Sequence, residues 1–361
     1  MILYELQLLS IGDNPFSMPI DSKEQLCNLL SLTNDESIWE EKNARLPLLI
    51  TDYYFNLIDP NDLNDPIRHQ VIPTIFENLD SQDSIDPLEE VKHSLTDRLI
   101  HRYNNRAALL VTDRCFTYCR HCFRRRFTGN STGAIKEDEL LAIAKLLKAH
   151  NEIKEVLLTG GDMFTLSDSA LEHLFSTLKT ARPDILFRLC TRAVVTNPER
   201  FTPQLFEIID KYHSIGTPFV LMTQFNHPRE LNEKTLCVTD RFINLGIPAF
   251  NQSVLLKGVN DDVDTLEELC NKLLHHRIKP YYLFQGDKVE GTKHLRCPLS
   301  KGLEIEEELR KRLSGLAMPQ YTIDLPEGGG KVILTRQYVK GCKDGVWEIA
   351  TPDGEVRYYP E

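Results

Sequence analysis

Three cysteines stand on one short stretch, Thr112-Asp-Arg-Cys-Phe-Thr-Tyr-Cys-Arg-His-Cys-Phe-Arg-Arg-Arg126, at Cys115, Cys119 and Cys122 in the spacing Cx3Cx2C. Thiolates are soft ligands, and three on one loop can converge on one metal centre. Two centres fit. A single zinc ion would take His121 as its fourth ligand, but His121 adjoins Cys122, and neighbours in sequence share one tetrahedron poorly. An iron–sulfur cluster held by three thiolates leaves one iron open to a small molecule. Structural thiols are usually dispersed, as Cys27, Cys190, Cys237, Cys270, Cys297 and Cys342 are; these three sit among five arginines and a histidine.

A second reactive group lies far along the chain. Asp324-Leu-Pro-Glu-Gly-Gly-Gly-Lys331-Val sets a lysine after three glycines. A nucleotide-binding P-loop does not fit, because the first glycine is misplaced and Val332 stands where a magnesium-binding Ser or Thr is needed. The run suits a lysine that forms a Schiff base with pyridoxal phosphate (PLP), with glycines leaving room for ring and phosphate. A flexible turn before a surface lysine is the plainer alternative. Arg102, Tyr103 and Arg106, in His101-Arg-Tyr-Asn-Asn-Arg106, offer a phosphate two guanidinium groups and a phenol, or form a solvated basic turn. Gly160, Gly161 and Asp162 end Leu158-Thr-Gly-Gly-Asp162, where glycines let the backbone approach a ligand and a carboxylate follows.

The elements that position these groups are legible from periodicity. Short apolar runs at 107–112, 155–159, 185–191, 219–223, 249–255 and 280–285 predict strands. Amphipathic patterns at 136–150, 168–180, 203–211, 230–245 and 264–276 predict helices between them. The first carries Leu140, Ile143, Leu146 and Leu147 on one face. Strands alternating with helices imply βαβ units and a parallel sheet. The fold class is therefore α/β, a partial (β/α)6 barrel with its reactive groups at the C-terminal ends of the strands. Residues 1–102, rich in Asp, Asn and Pro, form a helical and irregular N-terminal region, and 103–297 form the core. Residues 298–361 form a C-terminal segment: a helix at 303–313, then a hairpin of 346–350 and 355–359 around Pro352-Asp-Gly354.

Composition bounds the setting. The 361 residues suit two domains or one α/β barrel, and 41% hydrophobic with 26% charged residues is a globular balance. Forty-two basic against fifty-three acidic residues leave a charge of −11, which argues against general binding to nucleic acid or anionic lipid. No apolar run is long enough to span a bilayer, and the start lacks a basic region and meets Glu5 early, unlike a signal peptide. A cytoplasmic protein with free thiols is expected.

Together these segments resemble the lysine 2,3-aminomutase family of radical S-adenosylmethionine (SAM), PLP-dependent enzymes. The resemblance covers roughly Tyr53 to Tyr338. Its carriers are Tyr54-Phe-Asn-Leu-Ile-Asp-Pro-Asn-Asp, His101-Arg-Tyr, Tyr118-Cys-Arg-His-Cys, Phe225-Asn-His-Pro, Asn251-Gln-Ser-Val-Leu-Leu, Gly302, Ser314-Gly315 and Gly328-Gly-Gly-Lys331. It implies that Cys115, Cys119 and Cys122 hold a 4Fe-4S cluster whose open iron takes SAM, and that Gly160, Gly161 and Asp162 help hold that SAM. It implies Lys331 as the PLP lysine, Arg102, Tyr103 and Arg106 around the phosphate, and Arg124 on the substrate carboxylate. Asp287 and Asp324 match the aspartates that bind the distal ammonium of lysine. The implied activity is an isomerase reaction interconverting L-lysine and β-lysine. The 5′-deoxyadenosyl radical takes a hydrogen from the β-carbon, and PLP gives the migrating nitrogen a π-system.

Departures from the family pattern leave other outcomes open. Asp287-Lys-Val-Glu-Gly is similar to relatives that make β-lysine for elongation factor P, whereas Asp324-Leu-Pro-Glu-Gly-Gly-Gly-Lys is nearer to the free-lysine mutases. Arginine is a further candidate substrate, and a structural zinc-binding protein is the alternative of a different class. Asp262 stands where clostridial mutases have a zinc cysteine, the tail lacks their cysteine-rich segment, and Gln224 replaces a histidine. The resemblance also implies an electron donor for the cluster and a homo-oligomer, dimer or larger, without the zinc-linked tetramer.

Overall fold

The computed structural model describes residues 19–79, 82–214, 216–326, 329–335, 338–352 and 354–360. Residues 1–9 of the expected non-signal start, Gly328 of the glycine run and Asp353 of the closing turn lie outside them.

Ten strands form one sheet in sequence order: β1 (Ser94–Thr96), β2 (Leu99–Tyr103), β3 (Arg106–Thr112), β4 (Glu155–Gly160), β5 (Leu186–Cys190), β6 (Phe219–Thr223), β7 (Ala249–Leu255), β8 (Ile278–Gln285), β9 (Gln320–Leu325) and β10 (Gly330–Ile333). The pairs from β3 to β9 are parallel; β1–β2, β2–β3 and β9–β10 are antiparallel. The six expected strands are β3 to β8. The seventh parallel strand, β9, and its hairpin partner β10 extend the sheet from the C-terminal segment. β2 extends it on the other side, across residue 102.

Helices Glu137–Ala149, Asp168–Ala181, Pro203–His213, Glu233–Asn244 and Val263–His275 cover the outer face, and Leu299–Arg312 follows β8. Leu140, Ile143 and Leu147 are buried as their spacing requires. The fourth helix starts later than its pattern suggests, because Pro228–Glu230 forms a separate 3-10 turn and Asn232 caps Thr235 N. Asp262 caps the next helix, its carboxylate accepting from Thr265 N at 2.8 Å. Among the described residues no helix is long and apolar enough to cross a membrane.

Strand alternation decides which side chains meet the interior. On β4, Val156 and Leu158 pack into the helix layer while Leu157 and Thr159 line the inner cavity. On β5, Phe187 and Leu189 face the helices and Arg188 and Cys190 the cavity. The sheet stays open, and side chains span its two margins. Arg102 Nη1 of β2 donates to Asp324 Oδ1 of β9 at 2.9 Å, and Lys331 N of β10 donates to Tyr103 OH at 3.1 Å. The last strands, β11 (Val339–Lys343), β12 (Val346–Ala350) and β13 (Val356–Pro360), form a separate antiparallel sheet, so the expected hairpin gains a third strand.

Candidate active site

A cavity of about 420 Å³ lies inside the sheet. All thirteen residues singled out above line it: Arg102, Tyr103, Arg106, Cys115, Cys119, Cys122, Arg124, Gly160, Gly161, Asp162, Asp287, Asp324 and Lys331.

The cysteine loop follows β3, and two of its arginines, Arg120 and Arg125, are buried pins. Arg120 donates to Glu77 Oε1 at 2.7 Å and to the carbonyls of Pro47 and Leu46, and Arg125 donates to Glu77 Oε2 at 2.6 Å. Each partner belongs to the N-terminal region, which therefore fixes the loop. Burial, then Asp162 and the other cysteines, pushes the Cys115 thiol well up, and burial followed by Cys119 raises Cys122. Three thiolates here need a cationic centre among them. A lone zinc ion fits poorly, because Zn–S bonds of about 2.3 Å would draw the sulfurs to within roughly 4 Å of one another. Among the described residues the one trio of metal-binding atoms all within 4.8 Å of one another is His101, His150 and Glu152, none of it in the cavity lining. The wider thiol spacing suits a cluster. His121 turns elsewhere: its Nε2 accepts from Gln224 Nε2 at 2.9 Å, and burial holds the ring neutral. Arg192 Nη1 reaches Cys119 Sγ at 2.6 Å, its Nη2 lies within hydrogen-bond distance of Glu230, Gln70 and Tyr54, and its Nε donates to the Gln224 carbonyl at 3.3 Å.

Gly160 and Gly161 close the end of β4 against this loop. Gly160 has φ +110°, and a Cβ on Gly161 would lie 2.2 Å from the Arg114 carbonyl oxygen, so neither tolerates a side chain. Asp162 is buried and already engaged. Its carboxylate accepts from Thr191 Oγ1, from Arg192 N and Ala193 N at 2.8 Å, and from Phe164 N at 3.1 Å. It braces the ends of β4 and β5, and the glycine backbone is what leaves room for a ligand. Asp162→Ala should therefore lower the stability of the cofactor-free protein by about 3 kcal/mol or more, since several buried donors lose their acceptor. Urea unfolding measures this, and an unchanged midpoint would refute the bracing role.

Lys331 and Asp324 face each other in the β9–β10 register, and Lys331 Nζ donates to Asp324 Oδ2. The amine lies 5.0 Å from the Phe284 ring centre, with the Tyr281 and Tyr282 rings beside it in the lining. The Arg102 side chain is 9% exposed, and its Nε has no partner among the described residues. Arg106 stacks 3.8 Å from the centre of the Tyr103 ring. An amine, an aromatic wall and two guanidinium groups with spare donors fit an anionic aromatic aldehyde. Asp287 is half-buried, and no side chain among the described residues pairs with its carboxylate. Burial first, and then Asp324, pushes it up to about 7.

Arg124 meets Glu90, which sequence reasoning missed. Arg124 Nη2 donates to Glu90 Oε1 at 2.6 Å and Nε lies 3.1 Å from both oxygens, while Nη1 donates to Thr159 Oγ1 at 3.2 Å. Glu90, Arg192 and Glu230 carry no motif that would have marked them.

The Radical SAM superfamily profile matches residues 109–270. The L-lysine 2,3-aminomutase of Clostridium subterminale is 42% identical over 347 residues, covering 95% of this chain and 82% of that protein. The L-lysine 2,3-aminomutase of Bacillus subtilis is 37% identical over 340 residues, covering 94% and 71%. The glutamate 2,3-aminomutase of Clostridioides difficile is 38% identical over 338 residues, covering 93% and 79%.

Proposed function

Because the chain belongs to the lysine 2,3-aminomutase family of radical SAM isomerases, with a 4Fe-4S cluster, SAM and PLP as cofactors, we propose that it interconverts L-lysine and β-lysine. The observation that carries this choice of substrate is Asp287, a half-buried carboxylate that no side chain among the described residues pairs with, in the cavity that also holds Asp324. Asp324 is already paired with Arg102 and Lys331, so Asp287 is the carboxylate left to draw in a side-chain ammonium and repel a side-chain carboxylate, which disfavours glutamate.

When bound, the cluster with SAM supplies hydrogen-atom abstraction and PLP supplies a π-system for the migrating nitrogen. Cys115, Cys119 and Cys122 would hold the cluster, and the Gly160–Gly161 backbone would admit SAM. Lys331 would hold PLP, with Asp324 beside its Nζ as the nearest proton acceptor. Arg106 and the free Nε edge of Arg102 would meet the phosphate, and Tyr103 OH steadies the Lys331 backbone. Arg124 would take the α-carboxylate, fixing one end of the substrate while Asp287 fixes the other. The proposal extends to an electron donor, a homo-oligomer and a cytoplasmic place of action.

The test is anaerobic turnover of the reconstituted protein with lysine, arginine or glutamate, with β-amino acids read by mass spectrometry. β-Lysine is the expected product. SAM cleavage with lysine present but no β-lysine would overturn the substrate.

The raised Asp287 carboxyl gives a pH prediction. Below about pH 7 it is protonated in the free enzyme and offers no charge to the ammonium. kcat/KM for lysine should therefore rise as pH increases through that region. Asp287→Asn should remove the step and cost about 10- to 100-fold in kcat/KM, the worth of one charged hydrogen bond. A pH profile unchanged by the substitution would refute the role of Asp287.

A further inference from the structure

We propose that Glu90 is a positioning residue for the substrate: it grips one edge of the Arg124 guanidinium so that the remaining edge faces the α-carboxylate of the amino acid. This rests on the assignment of Arg124 to that carboxylate. Glu90 is 6% exposed and lines the cavity with Arg124. Its two oxygens take the Nε and Nη2 edge, and Thr159 Oγ1 takes one proton of Nη1. Of the five guanidinium donors, one on Nη1 and one on Nη2 are left for the two oxygens of a carboxylate. Burial would raise the Glu90 carboxyl, but Arg124 and then Arg126 outweigh it and hold it below its ordinary value, so the grip is ionic at neutral pH.

The segment bearing Glu90 also reaches the opposite end of the substrate site. Ser84 forms a bridge with Val289, and Glu290 N donates to Ser84 O at 3.1 Å, two to three residues past Asp287. Arg126 Nη2 donates to Glu90 Oε2 at 2.9 Å and ties the same segment to the cysteine loop. One strap thus connects the residue for the α-carboxylate with the residue for the distal ammonium. Arg124 has long, rotatable bonds, and without Glu90 its fork must be ordered at the expense of substrate binding.

The test uses the reconstituted holoenzyme in a double-mutant cycle. Glu90→Gln should raise KM for lysine about tenfold or more, with a smaller change in kcat, as loss of a charged hydrogen bond predicts. Arg124→Gln should raise it at least as far, and the double variant should be no worse than Arg124→Gln alone. Inhibition by 1,5-diaminopentane, which is lysine without its carboxylate, should be unchanged in Glu90→Gln. An unchanged KM in Glu90→Gln, multiplicative losses in the double variant, or parallel loss of diamine affinity would each overturn the inference while leaving Arg124 in place. An unchanged KM in Arg124→Gln would instead remove the Arg124 assignment itself. Should Glu90→Gln not fold, Glu90→Asp keeps the charge on a shorter arm; it should raise KM in the same direction, and no rise would overturn the inference.

Discussion

Lys331→Ala should abolish amino-acid isomerisation, a loss of about 10⁴-fold or more, and with it the visible absorbance of bound PLP. The substitution removes the amine that donates to the Asp324 carboxylate and its contact with the Phe284 ring. Asp324 keeps Arg102 at 2.9 Å, so the margin of the sheet remains bridged and no buried carboxylate is stranded. The cysteine loop is pinned by Glu77 and the carbonyls of Pro47 and Leu46, none of which involves Lys331, so its iron and labile sulfide content should be unchanged. Absorbance and metal analysis on one preparation therefore separate the two cofactors. Survival of the PLP absorbance would mean that another group holds it.

Cys119→Ala should remove the cluster, leaving SAM cleavage below detection while PLP remains bound. Arg192 loses its sulfur contact but retains Glu230, Gln70 and Tyr54, so the surrounding network still satisfies the guanidinium. Cys190 provides the control within the same cavity. It ends β5 rather than standing on the loop, so it lies outside the Cx3Cx2C set although it lines the same cavity. Cys190→Ala should keep full iron content. The opposite outcome, iron retained without Cys119 and lost without Cys190, would overturn the ligand assignment.

The repeating core was legible because both of its periods are local. Apolar runs alternate with helical faces between residues 106 and 285, and β3 to β8 stand where those runs lie. The extra strands were not legible in the same way. β9 and β10 are short, and β10 includes Gly330 at φ +81°, so they carry little strand signal of their own. They become part of the sheet only because β8 offers an unpaired edge.

Residue type and spacing by themselves narrowed the chemistry to a soft metal centre on one loop and a candidate Schiff-base lysine after glycines, and the resemblance to a family chose between the alternatives and added the carboxylates. Spacing along a chain limits which ligands can meet, and glycines mark where backbone must approach, so these survive without coordinates. What only the tertiary structure decided was how each charge is spent. Asp162 looks in sequence like a ligand-binding carboxylate, yet its oxygens are taken by backbone donors and Thr191. Five arginines stand around the cysteines in sequence, and Glu77 and Glu90 neutralise four of them from the N-terminal region. Arg102 and Asp324 stand 222 positions apart and form one ion pair across the open barrel. Coulomb energy and desolvation depend on distance and burial, which residues remote in sequence acquire only when the sheet brings its margins together.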